Sequence, residues 1–182
     1  FTTGGFGALS HPDHASLSIG NSDFTLVAWL WLDSKPTTEM VAVSKLGANA
    51  TLREYRLYWD PAVDRFQFQW MLDNQGNDAI VTATQFGSPN TGAWHFVTVW
   101  RQGGQLNMQI NHGSVDSVSA TGGNDGPELF ELGRLYDGRY WIGRLDEVGL
   151  WKRVLTPQEL TDLYNAGLGN TLAMNAGGAS GV

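Results

Sequence analysis

At 182 residues, with 42% of them apolar, the chain is long enough to build one sizeable core. A chain of this length buries about 70% of the surface its unfolded form exposes, so it needs no covalent staple to fold. A formal net charge of −7 argues against nucleic acid and against anionic membranes, which are held through Lys and Arg. The absence of cysteine excludes disulfides and thiolate metal sites.

No apolar run approaches the ~20 residues of a membrane-spanning helix, so no membrane insertion is expected. The first residue is Phe1 and no basic segment precedes an apolar one, so any signal peptide is expected to be removed or to lie outside this stretch. Charged residues make up only 16%, so solubility rests on Ser, Thr, Asn, Gln and Gly.

Period-two alternation predicts strands over Phe24–Leu32, Tyr55–Trp59, Arg65–Met71, Ala79–Ala83, Trp94–Arg101, Gln105–Asn111 and Arg144–Trp151. Turn chemistry separates them at Asp60-Pro61, Asp73 to Gly76, Pro89 to Gly92, Gly103-Gly104 and Asn111-His112-Gly113. Short strands with this punctuation define an all-β sandwich or barrel. One helix is predicted from Thr156 to about Ala166. Thr156 is its N-cap, Pro157 its first residue and Glu159 the partner that completes a capping box. Leu155 and Leu160 form its staple, Gly167 supplies a left-handed stop, and Leu160, Leu163 and Tyr164 share the face that docks on the sandwich. Residues 1–169 are expected to form the sandwich. The Gly-, Ala-, Asn- and Ser-rich stretch 170–182 is expected to be a flexible tail or linker to a neighbouring domain.

Several stretches carry a resemblance in their order along the chain. They are Phe24 to Trp29, Trp94 to Val99, Leu132-Gly133-Arg134, Gly143 to Val148, and Leu155 to Leu160 followed by Leu163 to Gly167. The order resembles the laminin G-like jelly rolls of the concanavalin A-like lectin/glucanase superfamily. The resemblance implies a two-sheet antiparallel jelly-roll sandwich with one short C-terminal helix. It also implies a glycan-binding, adhesive or enzyme-accessory role in an extracellular or surface protein. Fold alone does not choose among these. Many relatives carry several carboxylates in the loop before the first long strand, and some hold Ca2+ near it. Here the loop reads Ser10 to Ala15 with Asp13 as its one carboxylate, so calcium is possible but poorly provided for. Asn111-His112-Gly113 stands where Asp-Gly is usual, with Asn and Gly expected to supply the positive φ.

Glycoside cleavage needs two carboxylates flanking one bond. Asp146 and Glu147 are adjacent and are expected on opposite faces of a strand, and Glu128 and Glu131 diverge as well, so no catalytic residues are assigned. Asp146, in step with Val148 and Leu150, is expected to point coreward, as a calcium ligand or as a partner of loop N–H groups or Arg134. His11 and His14 are expected to be solvated loop residues rather than metal ligands, and His95 a satisfied core or edge histidine.

The eight tryptophans are the informative feature. Phe66, Phe68 and Trp70, like Tyr55, Leu57 and Trp59, share faces that read as core. Leu26, Ala28, Leu30 and Leu32, with Val97 and Val99, define the opposite core wall. That places Val27, Trp29, Trp31, Trp94, Phe96 and Trp100 on an outer face beside the amides of Gln105, Asn107, Gln109 and Asn111. The candidate ligand-binding residues are therefore Trp31, Trp100, Phe96 and Asn107, with Trp29 and Trp94 read as structural. Flat rings beside amides suit a neutral sugar. The alternative is a face covered by loops or the helix, or packed on another protein in a structural or adhesive role; a glycosidase is the distant third. The loop Leu135 to Trp141, dense in aromatics, is a second candidate or a packed hairpin.

Overall fold

The computed structural model describes residues 7–49, 51 and 53–169; the expected linker 170–182 lies outside them. Among the described residues eleven strands form two antiparallel sheets. They are β1 (Leu9–His11), β2 (Phe24–Leu32), β3 (Met40–Leu46), β4 (Arg53–Asp60), β5 (Arg65–Met71), β6 (Asp78–Thr82), β7 (Trp94–Gln102), β8 (Gln105–Ile110), β9 (Val115–Ser119), β10 (Phe130–Leu132) and β11 (Gly143–Trp151). One sheet runs β1-β10-β3-β4-β5-β6 and the other β11-β2-β7-β8-β9. The fold is the expected jelly-roll sandwich.

The core lies between the sheets, and the alternation explains it. Phe24, Leu26, Ala28, Leu30 and Leu32 of β2, with Val97 and Val99 of β7, face Tyr55, Leu57 and Trp59 of β4 and Phe66, Phe68 and Trp70 of β5. Each fully buried Phe, Leu or Val among them contributes about 1.5–3 kcal/mol of hydrophobic stabilisation. Strand β3 carries no alternation because it is buried on both faces throughout Met40–Leu46. His95 is buried between the rings of Phe66 and Phe86, each with its centroid 5.5 Å away. Its Nε2 meets the Asn90 carbonyl at 2.9 Å, which requires the proton on Nε2, and burial holds its pKa below the usual histidine value.

The helix α1 (Pro157–Tyr164) begins as predicted. The Thr156 hydroxyl accepts from the Glu159 N–H, and the Glu159 carboxylate accepts from the Thr156 N–H at 2.8 Å. The helix ends at Tyr164, two residues sooner than expected, because Asn165 itself takes the left-handed conformation at φ 44°. In the β8–β9 turn the positive φ falls on Asn111 and His112, not on Gly113.

Thr156→Ala is expected to cost about 1 kcal/mol in equilibrium unfolding. The Arg153 guanidinium, with the Thr156 groups, holds the Glu159 carboxyl down at about 2. A depressed folded-state pKa stabilises above the unfolded value, near 4.3, and the effect is lost as pH falls toward the folded one. Helix docking, followed by tryptophan emission, should hold from neutrality to about pH 4.5 and weaken between about 4 and 2. Glu159→Gln should flatten that dependence.

Candidate functional site

The outer face of the five-stranded sheet is set by strand register. Across β7, β2 and β11, Trp94 opposes Trp31, which opposes Arg144. In the next outward-facing row Phe96 opposes Trp29 and Asp146, and in the one after that Thr98 opposes Val27 and Gly149. The face ends on Trp100, Thr25 and Trp151. The aromatic stripe expected from alternation is therefore real, but helix α1 lies across its middle. Tyr164 stacks on Trp29 at 6.0 Å and packs on Phe96 at 5.7 Å, and Leu155 and Leu160 close over Val27. This leaves Trp29 7% and Phe96 2% exposed. Phe96, expected among the ligand-binding residues, is thus a docking surface for the helix and offers no face to a ligand.

The helix divides what remains into two parts, so Trp31 and Trp100 are not brought together. On one side lies a groove of about 530 Å3, lined by Trp100, Gln102, Gln109 and His112 from the sheet and by Val154 to Pro157 and Leu160 from the helix start. Trp100 is half-buried. Gln109 uses its amide N–H on the Gly113 carbonyl at 2.7 Å, and His112 stacks on Tyr164 with Nε2 3.3 Å from the Thr161 hydroxyl. Asn107, directly opposite Trp100, is spent internally. Its amide donates to the carbonyls of Trp100 and Gln105, and its oxygen accepts from Ser117 at 2.6 Å. Alternation alone does not identify Gln102, His112 or the helix start as lining residues.

On the other side Trp31 and Trp94 meet edge to face at 5.7 Å, and the Arg144 guanidinium lies 4.9 Å over Trp31. The Trp31 indole donates to Asp33 at 2.8 Å, and Trp94 is 37% exposed. The closeness of β11 to β2 depends on Gly143, where φ is 153° and a Cβ would fall 1.8 Å from the Trp31 carbonyl oxygen. The same carbonyl accepts from the Trp141 indole at 3.1 Å.

Asp146 does not point coreward. A β-bulge between Asp146 and Gly149 inserts a residue opposite β2, so Asp146 faces outward with Trp29 while Leu150 returns to the core side opposite Leu26. Glu147 takes φ 46° in the bulge. Both carboxylates consequently line one cleft of about 260 Å3 with Trp94, instead of facing opposite sides of the strand. They are adjacent residues of β11. Arg134 pairs with Glu131 at 2.6 Å, not with Asp146. In the loop after β10, Leu135 and Trp141 are packed down, Tyr136 is exposed, and Arg139 pairs with Asp137 and Glu39.

Near the N-terminal loop, His11 and His14 bond locally, to the Pro12 carbonyl and to Ser16. Asp13 is committed elsewhere. The Lys45 ammonium, fully buried, lies 2.9 Å from Asp13 and 2.8 Å from Glu54. Its hydrogen bond with Asp13 holds that carboxyl below the usual range. A calcium ion does not fit beside an ammonium that already takes these oxygens. A lysine inside the apolar run Met40–Leu46 was the sequence signal for this arrangement.

The two sheets, the covering helix and the bulged last strand define a lectin-type sandwich. The chain belongs to the concanavalin A-like lectin/glucanases superfamily, whose laminin G family model matches residues 3–161. A search of curated protein sequences gives no match. Among solved structures, the binding domain of botulinum neurotoxin DC in complex with SialylT is similar with a TM-score of 0.61 at 11% identity, over 87% of this chain and 39% of that one. Domain 4 of AbnA, a GH43 extracellular arabinanase from Geobacillus stearothermophilus, in complex with arabinotriose, gives 0.58 at 18% identity, over 85% and 71%. Mouse laminin alpha1 chain domains LG4-5 give 0.55 at 14%, over 82% and 39%. The chain thus spans about two fifths of the neurotoxin and laminin chains it matches. These likenesses establish the fold.

Gly143→Ala should lower stability by more than about 2 kcal/mol in denaturant unfolding, because β11 must move away from β2. Trp31→Ala, which changes a half-buried ring on the same face, should cost less.

Proposed function

We propose that this domain is a non-catalytic carbohydrate-binding module that takes a neutral glycan in the groove beside Trp100. The observation that carries the reading is the groove itself. An aromatic residue, Trp100, lines it together with the polar residues Gln102, Gln109, His112 and Thr156, in a volume of about 530 Å3. A sugar stacks its C–H face on an indole while its hydroxyls bond amides, which donate and accept at once. The volume falls within the ~300–1,000 Å3 of ordinary ligand sites. Among the described residues no carboxylate lines this groove, and the reading invokes no metal. The complex of the similar arabinanase domain with arabinotriose supports the ligand class, and that enzyme's extracellular setting supports the same location here.

A second reading, attachment to a protein, is favoured by one feature. The row Trp94, Trp31 and Arg144 is ring-dominated and spans three strands at the outer face. Flat aromatic and arginine surfaces are the composition of protein contacts.

The two separate by mutation. On a glycan array, saturable binding is expected that persists in EDTA. Trp100→Ala should weaken it about tenfold or more, the equivalent of roughly 1.5 kcal/mol for a lost aromatic contact. Trp94→Ala should leave it unchanged. Silence of the folded protein across a broad array would transfer the assignment to the protein-binding row.

A further inference from the structure

Lys45 lies on the face of β3 that meets Tyr55, a core residue, yet it carries a charge with no exposure to solvent. A buried ammonium is tolerated only when oxygens surround it. Three segments distant in sequence supply them. Asp13 comes from the loop before β2, Glu54 from β4, and the Gly126 carbonyl from the connection before β10. The other Glu54 oxygen accepts from the N–H groups of Ile19 and Gly20. Gly123, at φ 151°, brings the connection so close to Gly20 that a Cβ would fall 2.1 Å from the Gly20 carbonyl oxygen. Burial works to lower the Lys45 pKa, but the hydrogen bonds and charges of Glu54 and Asp13 outweigh it and hold the ammonium above the usual lysine value.

Two carboxylates and a backbone carbonyl converging on one point are the donor set of a hard cation such as calcium, with the partly exposed Asp13 leaving room for water ligands. We propose that this is a cation site filled from within: Lys45 supplies a covalently attached cation that clamps the three segments, and removing its ammonium turns the same oxygens into a divalent-metal site. The clamp makes the fold independent of calcium.

Melting of the wild-type protein and of Lys45→Ala, each in EDTA and in millimolar calcium, tests this. Wild-type Tm should be the same in both. Lys45→Ala should lose about 10 °C in EDTA, as expected when one partner of a buried pair is removed, and recover a large part of it in calcium. The double variant Lys45→Ala/Asp13→Asn should not recover. If Lys45→Ala fails to fold in EDTA, refolding in calcium supports the proposal, and failure in both overturns it. Terbium provides a second readout. Its luminescence, sensitised by Tyr55, should appear with Lys45→Ala and not with wild type. A wild-type Tm that falls in EDTA, or a folded Lys45→Ala variant indifferent to calcium and dark with terbium, would overturn the proposal.

Discussion

The arrangement of this molecule turns on the need to cover Val27, Trp29 and Phe96. Strand pairing between β2 and β7 forces these side chains onto the outer face of a sheet whose inner face is already committed to the core. Left in water they would form a contiguous apolar patch. Helix α1, eight residues long, is too short to persist alone, and it exists because Leu155, Leu160 and Tyr164 bury that patch. Both recesses on this face are by-products of the solution, since a narrow helix laid across a five-stranded sheet leaves sheet exposed on either side.

The same economy governs the polar groups. Asn107, placed where a ligand could use it, instead satisfies its own hairpin. Asp13, in a loop where a metal was conceivable, instead meets an internal cation. In each case a nearby partner within the chain satisfies the group first. Side chains with capacity left over, such as Gln102 at the groove edge, are then the ones available to outside molecules.

Much of the fold was legible because the two faces of β4 and β5 differ in polarity, and on β2 and β7 tryptophans alternate with aliphatic side chains. Strand β3 was not, since both its faces are buried and nothing alternates. The bulge at Asp146 escaped for a related reason. Counting by twos assumes an unbroken ladder, and one inserted residue reverses every assignment beyond it. The capping box fixed where the helix begins, but not which rings it would cover. That depends on how the segment from Lys152 to Leu155 carries the chain back over β2, where Thr25 accepts from the Leu155 N–H at 2.9 Å and donates to the Arg153 carbonyl. Trp31 and Trp100 were therefore correctly placed on one face, and only the fold could show that Phe96 between them is roofed over.

One wall of the Trp100 groove belongs to that roof: Leu155, Thr156, Pro157 and Leu160 line the groove while the same segment holds the helix down. Occupancy of the groove and docking of the helix are then two equilibria sharing a component, and linkage makes their influence mutual. Whatever fills the groove tightens the helix by the same free energy with which a well-seated helix tightens its hold on the occupant. Tyr164, which packs the helix on the sheet without lining the groove, therefore bears on how firmly that wall is held.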